Sequence, residues 1–203
     1  SEPFRMNRLL QGDVGSGKTL IAFLCMVTAI EAGGQAVIMA PTEILTKQHE
    51  DTLKPLAAKA GIVLESLSGR DKGKERKSKI EAIASGKIQI IVGTHAVFQE
   101  SIKYNDLRLA IIDEQHRFGV RQRMDLGNKG DAVDILIMTA TPIPRSLALT
   151  NYGDMELSEV DEKPIGRKPI NTVMVSSSRI LEVIDRLKVA IETVFFQKLL
   201  LQF

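Results

Sequence analysis

The sequence predicts an α/β fold in which a mainly parallel β-sheet is flanked by helices. Short apolar runs rich in β-branched residues alternate with longer stretches of helical periodicity along most of the chain. The runs are nearly continuous in apolar residues, which is typical of strands covered by helices on both faces. Strands and helices that alternate in this way form a parallel sheet with right-handed crossover connections.

Six candidate strands and three candidate helices follow one another before the composition changes. The strands are predicted at residues 8–11, 36–39, 63–67, 88–92, 107–112 and 135–138. The helices are predicted from a glycine-rich turn to about residue 32, from residue 42 towards residue 60, and from about residue 72 to residue 84. Thr42 is a suitable N-cap, and Gly33 and Gly86 are placed to end helices.

The composition changes after Tyr152. Residues 153–163 are rich in Asp and Glu, and prolines and a glycine then interrupt regular structure. We therefore predict one domain over residues 1–152, followed by a linker or edge extension and a C-terminal extension over residues 153–203. The elements predicted in this second part are a strand at residues 170–175 and a helix at residues 179–197.

The composition fits a globular domain and restricts its partners. Of the 203 residues 26% are charged, and the net charge of +2 is too near neutral to indicate a nucleic-acid partner by itself. Aromatic residues make up 4%, so platforms for stacking single-stranded bases would be sparse. The single cysteine, Cys25, lies in an apolar run too short to span a bilayer, and no secretory signal pattern opens the chain. We expect a cytoplasmic protein in which Cys25 is a buried apolar residue, the three histidines are structural or surface residues, and there is no zinc site.

A phosphate-binding loop is predicted where the first strand meets the first helix. The string Gly12-Asp13-Val14-Gly15-Ser16-Gly17-Lys18-Thr19 matches the P-loop pattern in full. Its glycines allow backbone N–H groups to turn towards phosphate oxygens, and the positive end of the following helix points at the same anion. We expect all eight residues to bind nucleotide, with Lys18 reaching the β- and γ-phosphates and the Thr19 hydroxyl binding Mg²⁺. The alternative, an incidental glycine-rich turn, is disfavoured by the complete motif in this context.

Two carboxylates follow the buried run at residues 109–112. Asp113 would hold Mg²⁺, usually through water, and Glu114 would orient and deprotonate the attacking water. An exposed acidic turn is a common alternative, but the P-loop about a hundred residues upstream favours NTP hydrolysis. The predicted catalytic residues are therefore Lys18, Asp113 and Glu114, and the predicted metal ligands are Thr19 and Asp113.

Three further motifs resemble those of superfamily 2 helicases and occur in the order of that family. They are Ala40-Pro41-Thr42-Glu43-Ile44-Leu45, Gly93-Thr94-His95 and Thr139-Ala140-Thr141-Pro142. Longer strings at residues 9–19, 111–120 and 138–145 look like those of RecG-like DNA helicases, and the resemblance extends from Arg8 to about Thr172. Transcription-repair coupling factors are similar, but they typically carry Glu at the position of Gln115.

The resemblance implies a RecA-like P-loop NTPase domain, the first motor lobe of a helicase that uses ATP and Mg²⁺. Such helicases are translocases on double-stranded DNA that remodel branched structures, such as stalled replication forks, in repair and recombination. The resemblance also implies a fork-binding wedge domain ahead of this segment and a second motor lobe with arginine fingers after it, towards which residues 153–203 lead. The expected partner is branched or forked duplex DNA, bound by the intact parent protein as a monomer and without a membrane.

The resemblance assigns two further sets of residues. The DNA-binding residues would be Pro41, Thr42, Ser68, Gly69, Arg70, Gly93, Thr94 and His95, and the residues that couple DNA to the nucleotide would be His116, Thr139 and Thr141. We expect the DNA backbone to cross the edge of the domain opposite the nucleotide site. Thr46, Ser146 and residues 195–203 depart from the family pattern.

Several alternatives remain open at the level of sequence. Thr42 could cap a helix, contact DNA, or do both, and the basic stretch from Arg70 to Lys79 could be a solvated helix face or a DNA contact. Other possible functions are a lobe that binds ATP and DNA with negligible hydrolysis, a translocase like the transcription-repair coupling factors, and a P-loop kinase or unrelated ATPase. The string Thr139-Ala140-Thr141 after the acidic strand argues against the last of these.

Overall fold

The computed structural model describes residues 5–69, 71–113, 133–141, 155–162 and 172–200, with side chains described up to residue 192. The chain divides into two compact units, Ser1–Ile165 and Gly166–Phe203. The predicted site residues all belong to the first unit.

The first unit contains a seven-stranded sheet in which every pair of neighbouring strands is parallel. The strands are β1 Asn7–Gly12, β2 Gln35–Met39, β3 Leu64–Leu67, β4 Ile90–Gly93, β5 Leu107–Asp113, β6 Asp134–Thr139 and β7 Glu156–Val160. Their order across the sheet is β3-β4-β2-β5-β6-β1-β7. The α/β class is confirmed, and the first six strands overlap the six predicted ones.

Three helices follow the first three strands. They are α1 Lys18–Glu31, α2 Glu43–Lys59 and α3 Gly73–Ala84. Thr42 caps α2 as predicted, since its Oγ1 accepts a hydrogen bond from the backbone nitrogen of Leu45 at 3.3 Å. A short 3-10 helix, His95–Phe98, follows β4.

Successive side chains of the strands point to opposite faces of the sheet, and each face has its own apolar cluster. Leu9 and Leu10 of β1 belong to different clusters, as do Val37 and Ile38 of β2. Helices α1 and α2 pack on the face of Leu10, and α3 packs on the other face through Ile83. Burying one such aliphatic side chain contributes about 1.5–3 kcal/mol. Coverage of both faces explains why the strands are nearly continuous in apolar residues.

One buried amide joins three segments at the amino-terminal edge of the sheet. Gln35 is 3% exposed, and its Nε2 donates to the carbonyl oxygens of Ile83 at 3.0 Å and Ile88 at 2.6 Å. Its Oε1 accepts from the backbone nitrogen of Asn105 at 2.8 Å. Both ends of the amide are therefore satisfied, as a buried polar side chain requires.

The sheet continues beyond residue 152, where we had placed the end of the domain. β7 pairs with β1 from Glu156, opposite Arg8, to Val160, opposite Gly12. The Arg8 guanidinium also forms an ion pair with the Glu156 carboxylate and donates to Ser158 Oγ at 2.8 Å. Over these residues the acidic segment is thus an edge strand of the first unit, which is the edge extension rather than the linker of the two alternatives.

The second unit contains one long helix. No strand forms over residues 172–176, so the strand predicted at residues 170–175 is wrong over its described part. A 3-10 helix, Ser177–Arg179, leads into α4, Ile180–Leu200, which confirms the predicted helix. The described side chains at residues 172–192 are exposed within this chain. Among the described helices, none is both long and apolar enough to cross a membrane.

Candidate functional site

The predicted site residues gather at the edge of the sheet where the parallel strands end. The carboxyl ends of β5, β6 and β1, which are neighbours, carry Asp113, Thr139 and Gly12, and we call this part of the edge the P-loop half. Strands β3, β4 and β2 are also neighbours in the sheet. We call the part of the edge formed by their carboxyl ends the α2 half. We had expected the DNA-binding residues at the edge opposite the nucleotide site. They lie instead at the same edge, because each motif follows the carboxyl end of a parallel strand.

The P-loop is a tight turn between β1 and α1. The backbone nitrogen of Ser16 donates to the Asp13 carbonyl oxygen at 3.1 Å. Gly15 and Gly17 have φ angles of 80° and 93°, which glycine adopts without the steric penalty of a Cβ. The Lys18 ammonium donates to the carbonyl oxygens of Gly12 at 2.7 Å and Asp13 at 2.8 Å. Lys18 is therefore held against the loop, and phosphate oxygens would have to replace these two acceptors.

Two further features of the P-loop fit a phosphate group. A Cβ at Gly12 would lie 2.7 Å from Ser16 Oγ and 3.0 Å from the Val160 carbonyl oxygen, so glycine lets the loop start close against β7. The Ser16 hydroxyl is buried and has no hydrogen-bond partner among the described residues. A buried hydroxyl normally has a partner, and this one retains its capacity to donate to an oxyanion at the positive end of α1.

Asp113 lies two residues short of the level at which the P-loop starts, at Gly12. The strand register places it opposite Met138 on β6, and Met138 opposite Leu10 on β1. Since β6 lies between β5 and β1, Asp113 and Leu10 are roughly 10 Å apart, and the P-loop starts two residues after Leu10. A hydrated Mg²⁺ between the Asp113 carboxylate and a nucleotide on the P-loop fits that separation. Carboxylate and hydroxyl oxygens, here those of Asp113 and Thr19, are the ligand types that Mg²⁺ prefers.

Strand β6 ends in a compact threonine turn between these two elements. Thr139 is 1% exposed, and its Oγ1 accepts from the backbone nitrogen of Thr141 at 3.2 Å and shares a 2.9 Å hydrogen bond with Thr141 Oγ1. Ala140 lines a cleft of about 400 Å³ together with the first P-loop residues and the end of β7. The position fits a residue pair that senses the nucleotide, and the coupling role of Thr139 and Thr141 stays a prediction.

The α2 half contains the described DNA-binding candidates on three neighbouring loops. Thr42 and His95 are exposed, whereas Thr94 is only 7% exposed and is less accessible to a ligand. The backbone nitrogen of Gly69 donates to Glu43 Oε1 at 3.1 Å, which ties the loop after β3 to the start of α2. The candidates on these loops are Pro41 and Thr42 after β2, Ser68 and Gly69 after β3, and Gly93, Thr94 and His95 at the end of β4.

The basic stretch of α3 divides into a structural group and an exposed group. The Lys79 ammonium pairs with Asp71 at 2.7 Å, and Arg76 donates to the Ser68 carbonyl oxygen at 3.3 Å. Burial acts to raise the pKa of Asp71, but the Lys79 ammonium and the Ser68 backbone N–H outweigh it and lower that pKa. These contacts hold the loop before α3 in place. The exposed lysines that remain for a DNA contact are Lys72, Lys74 and Lys77.

Sequence reasoning missed one residue of the site. His49, which we had interpreted as a structural or surface residue, lies in α2 with its Nε2 2.7 Å from Asp113 Oδ2. The two side chains are 9% and 15% exposed. The buried stripe of α2 contains Thr46, His49 and Glu50 beside Leu53 and Ala57. Polar side chains on the buried face of a helix need hydrogen-bond partners. This pattern is the sequence signal by which His49 could have been identified as a candidate.

Three predicted site residues, Arg70, Glu114 and His116, lie outside the described residues. Their roles in DNA contact, water activation and coupling stay predictions.

Comparison with known proteins identifies the family. The family model described as DEAD/DEAH box helicase matches residues 4–150, most of the chain. The chain belongs to the DEAD/DEAH box helicase family. Membership implies that this helicase domain uses ATP.

The helicase domain is also similar to particular members of the family. It is 52% identical over 192 residues to the ATP-dependent DNA helicase RecG of Escherichia coli O127:H6, covering 93% of this chain and 28% of that protein. Identity to RecG of Bacillus subtilis is 50% over 192 residues, covering 95% of this chain and 28% of that protein. The chain therefore spans less than a third of the length of these relatives.

Solved structures agree with the sequence comparison. The structure of RecG bound to a three-way DNA junction matches with a TM-score of 0.78 and 44% identity, over 90% of this chain and 24% of that one. The helicase domain of Pyrococcus furiosus Hef matches with a TM-score of 0.58 and 22% identity, over 76% of this chain and 35% of that one, and it shares the fold.

Proposed function

We propose that this helicase domain is the ATP-binding first motor lobe of a RecG-like DNA helicase. Its parent protein would couple ATP hydrolysis to the remodelling of branched DNA, such as stalled replication forks, in repair and recombination. The observation that carries the proposal is the shared edge of the sheet, where the P-loop and Asp113 lie beside the three loops with the DNA-binding candidates. Similarity to a RecG structure bound to a three-way junction supports branched DNA as the substrate class.

The residues of the P-loop half have separate roles in this proposal. The backbone N–H groups of the P-loop and the N-terminal end of α1 bind the phosphates, and the Lys18 ammonium exchanges its two carbonyl acceptors for phosphate oxygens. Thr19 and Asp113 would hold Mg²⁺, and the ion when bound would offset the charge of the phosphates. Glu114 positions and deprotonates the attacking water.

The α2 half would bind the DNA backbone without reading its sequence. Backbone N–H groups and the Thr42 hydroxyl donate hydrogen bonds to phosphate oxygens, and the exposed lysines of α3 add an attraction that weakens with salt. We further propose that the parent protein acts as a monomer in the cytoplasm, and that residues beyond β7 lead towards its second motor lobe.

Nucleotide binding by this chain is the first test. Mg-ATP is titrated by calorimetry into the wild type, into Lys18→Ala, and into Lys59→Ala, a control that removes an exposed lysine at the end of α2. Losing the charge-assisted hydrogen bonds of Lys18 should weaken binding by about 1.5–3 kcal/mol, roughly 10- to 150-fold, with no change for Lys59→Ala. If the wild type binds no Mg-ATP, the proposal fails for this chain.

Hydrolysis separates the motor lobe from the alternatives. In this class of enzyme the arginine fingers come from the second lobe, so this chain should bind Mg-ATP and turn it over only marginally, with or without forked DNA. Robust turnover stimulated by DNA would contradict an incomplete motor.

A further inference from the structure

The contact between His49 and Asp113 is a direct side-chain link from α2 to the P-loop half of the edge. It joins residues 64 positions apart, from the interior of α2 to the end of β5. Both side chains are mostly buried, at 9% and 15% exposure, and their atoms are 2.7 Å apart. Water competes little for a hydrogen bond between two side chains that are so largely buried.

The chemistry of the two groups fixes the direction of the hydrogen bond. An ionised carboxylate can only accept a hydrogen bond, so in the tautomer with hydrogen on Nε2 His49 donates to Asp113 Oδ2. A donor at this point holds the carboxylate in one orientation and occupies one of its oxygens. By fixing the carboxylate, this hydrogen bond also sets the direction of its other oxygen, Oδ1. Hydrogen bonds from neighbouring groups orient carboxylate ligands of metal ions in this way.

Helix α2 connects this contact to the loops with the DNA-binding candidates. Its N-cap is Thr42, seven residues before His49, or about 10 Å along the helix axis. Glu43 in its first turn accepts from the Gly69 backbone nitrogen at 3.1 Å. Lys47 pairs with Glu50 at 3.2 Å in the middle of the helix. A movement of the N-terminal end of α2 would therefore be transmitted along a stiff element to His49.

We propose that His49 is a positioning residue that makes the orientation of the Asp113 carboxylate depend on the position of α2. This inference rests on the proposed function, because it takes Asp113 as a residue that holds Mg²⁺ and the N-terminal end of α2 as a DNA contact. A phosphate bound at Thr42 and a metal ion bound at Asp113 then influence each other's affinity through one helix and one hydrogen bond.

The test separates the metal-dependent part of nucleotide binding from the rest. The affinity of a fluorescent ATP analogue is measured in MgCl₂ and in EDTA for wild type, His49→Leu, His49→Gln and Gln48→Leu. His49→Leu removes the donor, His49→Gln keeps an N–H donor at a similar reach, and Gln48→Leu makes a matched apolar change at an exposed neighbour. Loss of a hydrogen-bond partner of a metal ligand typically lowers metal affinity by about 10- to 100-fold.

The expected result is a loss of about tenfold or more for His49→Leu in MgCl₂ only, near-complete recovery in His49→Gln, and no effect of Gln48→Leu. Equal losses in MgCl₂ and EDTA, or no loss, would overturn the positioning role. Circular dichroism checks that each variant is folded, and if His49→Leu does not fold, His49→Asn, whose donor has a shorter reach, takes its place, and a wild-type response to MgCl₂ in that variant would overturn the role as well. Failure of wild type to bind the analogue in either buffer would refute the proposed function itself.

The same variants test whether the binding of nucleotide and the binding of DNA are coupled. The affinity for a labelled forked duplex is measured with and without Mg²⁺ and a non-hydrolysable ATP analogue. We expect the ratio of the two affinities to differ from one in wild type and in His49→Gln and to approach one in His49→Leu. A wild-type ratio of one, or a ratio unchanged in His49→Leu, would show that this contact does not couple the two sites.

Discussion

Substitution of Thr42 separates its two candidate roles, which are capping α2 and binding a DNA phosphate. The cap is a 3.3 Å hydrogen bond from the backbone nitrogen of Leu45, and the Thr42 side chain is exposed. For so long and exposed a bond, we expect Thr42→Ala to lower the free energy of unfolding by about 0.5–1 kcal/mol, the low end of the range for N-caps. Thr42→Asp keeps a capping oxygen and adds a negative charge at the positive end of α2, worth about 0.3–1 kcal/mol, so stability should be unchanged or higher.

The same two changes should affect DNA binding in the opposite order. Thr42→Ala removes one neutral donor to a phosphate, which weakens binding of a forked duplex by about 1 kcal/mol, or roughly fivefold. Thr42→Asp places a carboxylate near a phosphate. At about 4 Å near a protein surface this repulsion is of order 1–4 kcal/mol, so affinity should fall by roughly tenfold or more in a protein that is fully stable.

Urea denaturation followed by far-UV circular dichroism gives the stability, and fluorescence anisotropy of a labelled forked duplex at fixed salt gives the affinity. Thr52→Asp is the matched control, because it adds the same charge to an exposed position of the same helix, away from the edge. A Thr42→Asp protein that binds as tightly as wild type would show that Thr42 is only a cap. Equal losses in Thr52→Asp and Thr42→Asp would assign the effect to net charge.

Two further changes test the loops of the α2 half. Gly93→Ala would place a Cβ 2.3 Å from Val97 Cγ1 and 2.5 Å from the Leu67 carbonyl oxygen, so the free energy of unfolding in urea should fall by about 1–3 kcal/mol. In Gly69→Ala the nearest atom would be 3.7 Å away, so this control should change it by less than about 0.5 kcal/mol, and equal effects would refute the steric argument. The lowered pKa of Asp71 predicts that its stabilising contribution is complete above the unfolded pKa of 3.8 and is lost as the pH falls through the lower folded pKa. Stability measured between about pH 6 and pH 2 should therefore decline less steeply in Asp71→Asn than in wild type, and equal slopes would contradict this assignment.

The strands in the middle of the sheet could be predicted because burial on both faces leaves a local mark in the sequence. β2, β4 and β5 are almost wholly apolar, and their positions were predicted closely. β7 leaves no such mark, because it is an edge strand with Glu156, Ser158 and Glu159 among its five residues. β7 is held in the sheet by its pairing with β1, about 150 residues earlier in the chain. A local sequence pattern cannot indicate so distant a partner. The apolar residues at 173–175 led to a strand prediction, but the described residues of their own unit form no strand with which they could pair.

The candidate site could be predicted where a motif is contiguous and not where it is assembled from distant segments. The P-loop is complete within eight residues, and its strand–turn–helix setting follows from the same stretch. His49 has no motif around it, and its significance depends on Asp113, which only the parallel pairing of β2 with β5 brings near α2. The roles of the basic residues of α3 could not be separated from the sequence either. Arg76 and Lys79 look like the exposed lysines in the sequence, but in the structure their contacts hold the preceding loop.

The position of Asp113 in the sheet explains why α2 reaches this particular residue of the P-loop half. The two halves of the edge meet between β2 and β5, where Met39 lies opposite Ile112. Asp113 follows Ile112 directly, and Pro41 lies two residues after Met39, so the metal-binding candidate lies on the strand next to the one that leads into the DNA-binding candidates. Thr139 and Gly12 lie one and two strands further away. An all-parallel sheet in this strand order therefore places the Asp113 carboxylate, before any other described residue of the P-loop half, within reach of a side chain from the helix that begins at the DNA-binding candidate Thr42.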